Sequence, residues 1–136
     1  MRTRDFGLFL GVELFAIAWA GLWFSTLDNK ILAGALAGGY FLFSGLYMLW
    51  RLRGWSPRWQ SPTWYVLLVH VFAISLPMLI SRFMQINLSF EDVRILGLTG
   101  PQFHQVSNYV FMALIFSTIV DGVRVKRATG AAPLKS

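Results

Sequence analysis

The sequence contains no cysteine, so disulfide bonds and thiolate metal sites are excluded. Charge is also scarce, since charged residues make up only 13% of the 136 positions. We find no paired carboxylates, no Ser–His–Asp set and no cluster of metal-ligating side chains, which are the groupings that enzymatic chemistry requires. We therefore expect a protein that is not an enzyme and that carries no metal and no cofactor.

Apolar residues are abundant instead. They form 56% of the chain, which is too high for an ordinary soluble domain of this length and is typical of a membrane protein. The net charge of +6 raises the question of nucleic acid binding. However, the basic residues lie between apolar runs, where membrane orientation signals occur. The expected partner is the lipid bilayer, and no nucleic acid is expected.

Four apolar segments are long enough to cross a bilayer, which takes roughly 17 to 25 residues per helix. In lipid each must be helical, because a single segment satisfies its backbone groups in no other way. The sequence predicts an all-α integral membrane protein, a single four-transmembrane-helix domain arranged as an up-down bundle. The helices are expected at about 6–24, 31–50, 64–81 and 103–123, and a short exoplasmic interfacial helix at about 90–97.

The basic residues predict the orientation, because Lys and Arg in short loops accumulate on the cytoplasmic side. Three of the twelve lie in the two connections on one side of the membrane: Lys30, Arg82 and Arg94. The other nine lie on the opposite side, in the two termini and the loop between helices 2 and 3. Both termini are therefore expected in the cytoplasm, and the expected location is a bacterial inner (plasma) membrane.

Glu13 is the single ionisable residue in the apolar run from 6 to 24. At about 1.5 Å of rise per residue, Glu13 and His70 lie at similar depths in helices that run in the same direction. Counting along the other two helices brings two serines near this level. We predict an intramembrane polar layer made of Glu13, Ser44, His70 and Ser117. Tyr47 and Thr118 are expected to extend it.

Two interpretations of this layer remain open. An ionisable residue inside a membrane is by default a candidate functional site, here for a proton or a substrate. Alternatively, Glu13 is protonated or hydrogen-bonded and fixes helix packing or meets a partner subunit. The carboxylate is tolerated if His70 or a hydroxyl satisfies it, so coupling between Glu13 and His70 is a testable hypothesis.

Two further groups of polar residues lie near the predicted membrane boundaries. The exoplasmic end of helix 4 carries a polar entry formed by Gln102, His104, Gln105 and Asn108. His104 is separated from His70 by most of the bilayer, so the two cannot share a haem. The cytoplasmic loop is interpreted as an interface anchor or an anionic-lipid site, formed by Arg51, Arg53, Trp55, Arg58 and Trp59.

A glutamate in the first of four helices resembles a feature of the small multidrug-resistance transporters. The resemblance covers Glu13 alone. Members of that family that form antiparallel dual-topology dimers need only a weak bias of basic residues between the two sides of the membrane. The bias in this sequence is strong. The motif around that family's third-helix tryptophan has no match here, so membership is not inferred.

Two functional classes follow from these features. The first is an accessory or structural subunit of a larger membrane complex, in contact with other membrane subunits or with itself. Its basis is the small size, the absence of a soluble domain and the absence of catalytic groups. The second is a small proton- or cation-coupled transporter in which Glu13 is the ion or substrate site. We favour the first.

Overall fold

The computed structural model describes residues 3–54, 60–85 and 87–130, and the described chain is mostly helical. Two long helices come first, followed by a third helical span built from three consecutive pieces. A short hairpin and a long final helix complete the chain. The elements are α1 (Thr3–Thr26), α2 (Lys30–Leu52), α3 (Pro62–Leu68), a π-helical segment (Val69–Ser75), α4 (Leu76–Met84), β1 (Arg94–Ile95), β2 (Leu98–Thr99) and α5 (Gly100–Gly130).

Four helices are long and apolar enough to span a membrane, which confirms the prediction of four apolar spans. The third of them is the run Pro62–Met84. Each helix extends beyond its predicted range. With 31 residues, α5 is about 46 Å long, whereas the hydrocarbon core of a bilayer is about 30 Å thick. The helix α5 is therefore longer than one crossing of the hydrocarbon requires.

The third span is not a regular α-helix. Ser61 caps its start by accepting a hydrogen bond from the backbone N–H of Trp64, and Pro62 occupies the first turn, where its missing N–H costs nothing. From Val69 to Ser75 the backbone switches to a π-helix. Pro77 follows at the start of α4 and, having no N–H, cannot donate a regular helical hydrogen bond. Single π turns within α-helices occur frequently at functional sites.

The prediction of a short helix at 90–97 is wrong, because this stretch contains turns and a two-stranded antiparallel hairpin. Arg94 pairs with Thr99 and Ile95 with Leu98. The two residues between the strands, Leu96 and Gly97, both have positive φ, 51° and 86°. This backbone closes a two-residue hairpin, and glycine adopts it without steric cost.

Contacts between the spans define two ends of the molecule. α1 packs against α2 and α5, and the third span packs against the same two helices. Below, the "hairpin end" is the end that carries the hairpin, the α1–α2 turn and the start of α5. The "tail end" is the opposite one, where Arg51 of α2 forms an ion pair with Asp5 of α1.

Two apolar clusters fill the interior. The larger one joins α1, α2, α5 and the third span, and its fully buried members include Phe9, Leu67 and Leu114. The smaller one lies at the hairpin end, where Val93 and Ile95 pack with residues of the third span and α5. The polar residues considered next lie among these clusters.

Candidate functional site

Glu13 lies inside the protein, where only 2% of its surface is exposed. Its neighbours at positions 9 and 16 on the same helix face, Phe9 and Ala16, are also buried. The hydroxyl of Thr118 on α5 donates a 2.7 Å hydrogen bond to Oε1 of Glu13. The second oxygen, Oε2, is buried and has no hydrogen-bond partner within the described ranges. Only one of the two carboxyl oxygens therefore has a hydrogen-bond partner among the described residues.

His70 is the second residue of the π-helical segment and is 3% exposed. Its Nε2 lies 3.3 Å from the hydroxyl oxygen of Ser75. The imidazole packs against two aromatic rings, Phe41 of α2 and Phe111 of α5, with centroid distances of 6.0 and 5.7 Å. In the part of the chain that the structure describes, its buried Nδ1 has no hydrogen-bond partner.

The contact between His70 and Ser75 depends on the π-helical backbone. Residues five positions apart point about 140° away from each other on a regular α-helix of 3.6 residues per turn. In the π-helix, whose hydrogen bonds run from i to i+5, the two side chains come together. The departure from α-helical geometry is therefore what gives the buried imidazole a hydrogen-bonding partner.

The two predicted serines bond to their own helices. Ser44, which is half-buried, donates to the carbonyl of Phe41 at 3.2 Å, and the buried Ser117 donates to the carbonyl of Leu114 at 2.8 Å. No hydrogen bond among the described residues joins any two of Glu13, Ser44, His70 and Ser117. Coupling between Glu13 and His70 stays a prediction. Tyr47, an expected extension of the layer, is exposed, whereas Thr118 is buried and engaged.

Asp121 is a buried acidic group that the predicted layer does not include. It is 1% exposed, and its Oδ2 accepts hydrogen bonds from the hydroxyl of Ser61 and, at 3.2 Å, from the backbone N–H of Thr63. Arg124 lies 3.9 Å from the other oxygen. Asp121 thus provides a hydrogen-bond acceptor for two donors at the start of α3 and links that helix to α5. The Ser61–Pro62 pair predicts a helix start. Nothing in the sequence tells which distant carboxylate accepts hydrogen bonds from that start.

The predicted polar entry lies at the hairpin end, and two of its four residues form local hydrogen bonds. Gln102 and Thr99 form a reciprocal cap of α5: the Thr99 N–H donates to Oε1 of Gln102 at 3.0 Å, and the Gln102 N–H donates to the Thr99 hydroxyl at 3.4 Å. Gln105 donates to the Tyr109 hydroxyl at 3.4 Å. The remaining two members, His104 and Asn108, are exposed.

The predicted interface loop is only partly described. Arg51 pairs with Asp5, and the guanidinium carbon of Arg53 lies 5.4 Å from the ring centroid of Trp50, a cation–π distance. Both contacts are at the tail end. Trp55, Arg58 and Trp59 lie outside the described residues.

Within residues 3–54, 60–85 and 87–130, no group of three or more His, Cys, Asp or Glu side chains is placed to hold a metal ion. The polar residues of the interior are instead engaged in pairwise links between helices and within them. Comparison with known proteins finds no matching family model, no matching curated protein and no matching solved structure.

Proposed function

We propose that this protein is a non-catalytic accessory or structural subunit of a larger membrane complex. In this proposal the four spans form an up-down bundle in a bacterial inner membrane, with both termini in the cytoplasm. The observation that carries the proposal is an exposed helix face lined with small residues on α1, described next.

Three glycines of α1, Gly7, Gly11 and Gly21, are exposed, and a Cβ atom added to any of them would meet nothing within 4 Å. Ala18, also exposed, lies between them. At 100° per residue these four positions fall within about 80° of arc, an arc that also contains the exposed Leu14, so they share one face of the helix. We call them the small face of α1.

Gly38 and Gly45 of α2 have a different environment, because side chains of the same chain lie in the space beside them. A Cβ on Gly45 would lie 2.6 Å from Cγ2 of Val71, and one on Gly38 would lie 3.7 Å from Cδ1 of Leu79. At these glycines the third span of the same chain packs closely against the backbone of α2. The three glycines of the small face of α1 have no such neighbour among the described residues.

Small residues promote helix association in membranes, where lipid provides no hydrophobic force between helices and close backbone contact supplies the attraction. A helix of another subunit, or of a second copy, fits the small face on these grounds. The interior supports the same assignment. Glu13 and Asp121 accept hydrogen bonds from residues of other spans, which is a structural use of both carboxylates.

The orientation rests on the basic residues. The tail end unites Arg51 and Arg53 with the basic last turns of α5, which contain Arg124, Lys126 and Arg127. The described basic residues of the opposite end are Lys30, Arg82 and Arg94. The rule that positive residues face the cytoplasm therefore supports a cytoplasmic tail end.

The small face can be tested by purifying the protein gently from its native membrane and identifying what accompanies it. We expect stoichiometric companions, or a defined oligomer, that Gly11→Leu removes. Gly39→Leu is the matched control, because Gly39 on α2 also has nothing within 4 Å but lies off the small face. A wild-type monomer without companions, or equal association by both variants, contradicts the proposal.

A second candidate function is a small proton- or cation-coupled transporter. The observation in its favour is the free oxygen of Glu13, since a buried Oε2 without a partner is a ready acceptor for a proton or cation. The test is dissipation of an imposed pH gradient in proteoliposomes. A transporter loses this activity on Glu13→Gln, whereas an accessory subunit has none to lose.

A further inference from the structure

Arg82, near the C-terminus of α4, lies at the hairpin end and turns across the surface of α2. Its Nε is 3.6 Å from the position that a Cβ on Gly34 would occupy, so the absence of a side chain at Gly34 leaves room for it. Its guanidinium carbon lies 4.7 Å from the ring centroid of Phe90 in the loop before the hairpin. The guanidinium is therefore held by apolar contacts and one cation–π interaction.

This cation has no ion-pair partner within 4.0 Å among residues 3–54, 60–85 and 87–130. Arg82 is half-buried, and it forms neither an ion pair nor a hydrogen bond with another described residue. The carboxylate of Asp92, two residues after Phe90 in the sequence, accepts a hydrogen bond from Ser89 at 2.6 Å. Removing a charge from water is costly unless an opposite charge or acceptors compensate. The five N–H donors of the guanidinium point outward in its plane, so packing on Phe90 leaves them available.

His104 of α5 provides a second donor on the same aromatic ring. Its imidazole is exposed and meets the Phe90 ring edge to face, with centroids 6.2 Å apart. Lys30 contributes charge at the same end. Its ammonium donates to the carbonyls of Phe24 and Leu27 at 2.8 and 2.9 Å, which satisfies two of its three N–H groups. Phe90 thus contacts both a guanidinium and an imidazole, and the ammonium of Lys30 is anchored at the same end of the molecule.

We propose that Arg82, with His104 across the Phe90 ring, forms a binding site for a phosphate-type oxyanion at the hairpin end. A planar guanidinium matches two oxygens of a phosphate group in a bidentate arrangement, which a solvated lysine does not reproduce. The phosphate is that of an anionic lipid headgroup or a free anion, since both present the same oxygens. This inference does not depend on the subunit proposal, because the site uses none of the residues of the small face.

The test measures binding by the full chain with two probes. Inorganic phosphate is titrated into detergent-solubilised protein, and phosphatidylglycerol is compared with phosphatidylcholine in mixed micelles, with retained lipid counted by native mass spectrometry. We expect Arg82→Gln to weaken binding of the preferred probe about tenfold or more, as loss of charge-assisted hydrogen bonds implies. Arg94→Gln is the matched control, because Arg94 is an exposed basic residue at the same end.

Binding of phosphatidylglycerol alone assigns the site to a lipid headgroup, and binding of both probes assigns it to a free anion as well; both results support the proposal. Binding of neither probe, or equal weakening by Arg82→Gln and Arg94→Gln, overturns it. If Arg82→Gln fails to fold, Arg82→Lys is used instead. Lysine keeps the charge and loses the planar donors, so an affinity equal to that of wild type contradicts bidentate binding.

Discussion

Thr118 donates its hydroxyl hydrogen to Oε1 of Glu13 over 2.7 Å, and this bond joins α5 to α1 across 105 positions of sequence. It explains how a glutamate is accommodated in an otherwise apolar span. A buried carboxyl group without any partner would be costly, and one short hydrogen bond offsets part of that cost. The same bond fixes the relative position of two helices that are far apart in the sequence.

Replacing Thr118 by valine should destabilise the protein. Valine has nearly the same shape but lacks the hydroxyl, so both oxygens of Glu13 would be buried without a partner. We expect a loss of about 1–3 kcal/mol in the free energy of unfolding, measured by denaturation in mixed micelles. Thr129→Val on the same helix is the control, because the exposed Thr129 bonds only to its own helix. Equal stabilities for the two variants would show that the Glu13 bond contributes nothing.

Asp121 should hold the start of α3 in place. Asp121→Ala removes the acceptor for the Ser61 hydroxyl and for the Thr63 N–H. We expect hydrogen exchange at the backbone amide of Thr63 to accelerate, together with a loss of about 1–3 kcal/mol in unfolding free energy. Asp92→Ala, at an exposed position, should change neither quantity. Unchanged exchange at Thr63 in Asp121→Ala would rule out the capping role.

Two glycines of α2 should respond in opposite directions to alanine. Gly45→Ala places a methyl group 2.6 Å from Cγ2 of Val71, so the Val71 side chain or its helix must shift, at a cost of about 1–3 kcal/mol. Gly39→Ala meets nothing within 4 Å and should be neutral or stabilising, because alanine favours helix. Adding Val71→Ala to Gly45→Ala should recover part of the loss. The comparison is made by thermal unfolding in detergent, and equal effects at the two glycines would contradict the packing described.

His70 and Ser75 should be energetically coupled through their hydrogen bond. In a double-mutant cycle of His70→Ala and Ser75→Ala, we expect an interaction energy of about 0.5–1.5 kcal/mol in unfolding free energy. The cycle of His70→Ala with Ser117→Ala should give a value near zero, because Ser117 bonds to its own helix. Running Glu13→Gln against His70→Ala then tests the predicted pair directly, and additive effects would show that these two residues act independently.

The absence of cysteine makes the orientation straightforward to measure. Single cysteines are introduced as Asp28→Cys in the α1–α2 turn and Thr129→Cys near the end of α5. A membrane-impermeant maleimide should label Asp28→Cys in intact cells and Thr129→Cys only after lysis. The reverse pattern would invert the proposed orientation. Labelling of both positions from outside would contradict the three crossings that the proposal places between them.

Much of the fold was accessible from the order of the residues alone. Length and hydropathy determine the four spans, because a helix in lipid must be long, apolar and satisfied by its own backbone. Local signals for helix starts are also present in the sequence. Asn29 caps α2, Ser61 with Pro62 begins α3, and Thr99 caps α5. Each of these depends on neighbours within a few residues.

The hairpin was not accessible in the same way. Ser89, with acidic residues two and three positions later, has the pattern of a helix start, but Gln85 instead bonds to both the N–H and the carbonyl of Arg94. Leu96, with 74% of its surface exposed, adopts a positive φ that leucine rarely takes. Contacts from outside the segment therefore override its local preference.

The sequence by itself determined that the chain is apolar and helical, that it has four segments long and apolar enough to span a membrane, and that Glu13 and His70 lie within those segments. These properties follow from composition and from hydrogen bonds within each helix. Only the tertiary structure decided which partners the buried groups find: Thr118 for Glu13, Ser75 for His70 and Ser61 for Asp121. Such partners depend on helix rotation, on the π turn and on which glycines allow close approach, and these are set by packing between segments that are distant in the sequence.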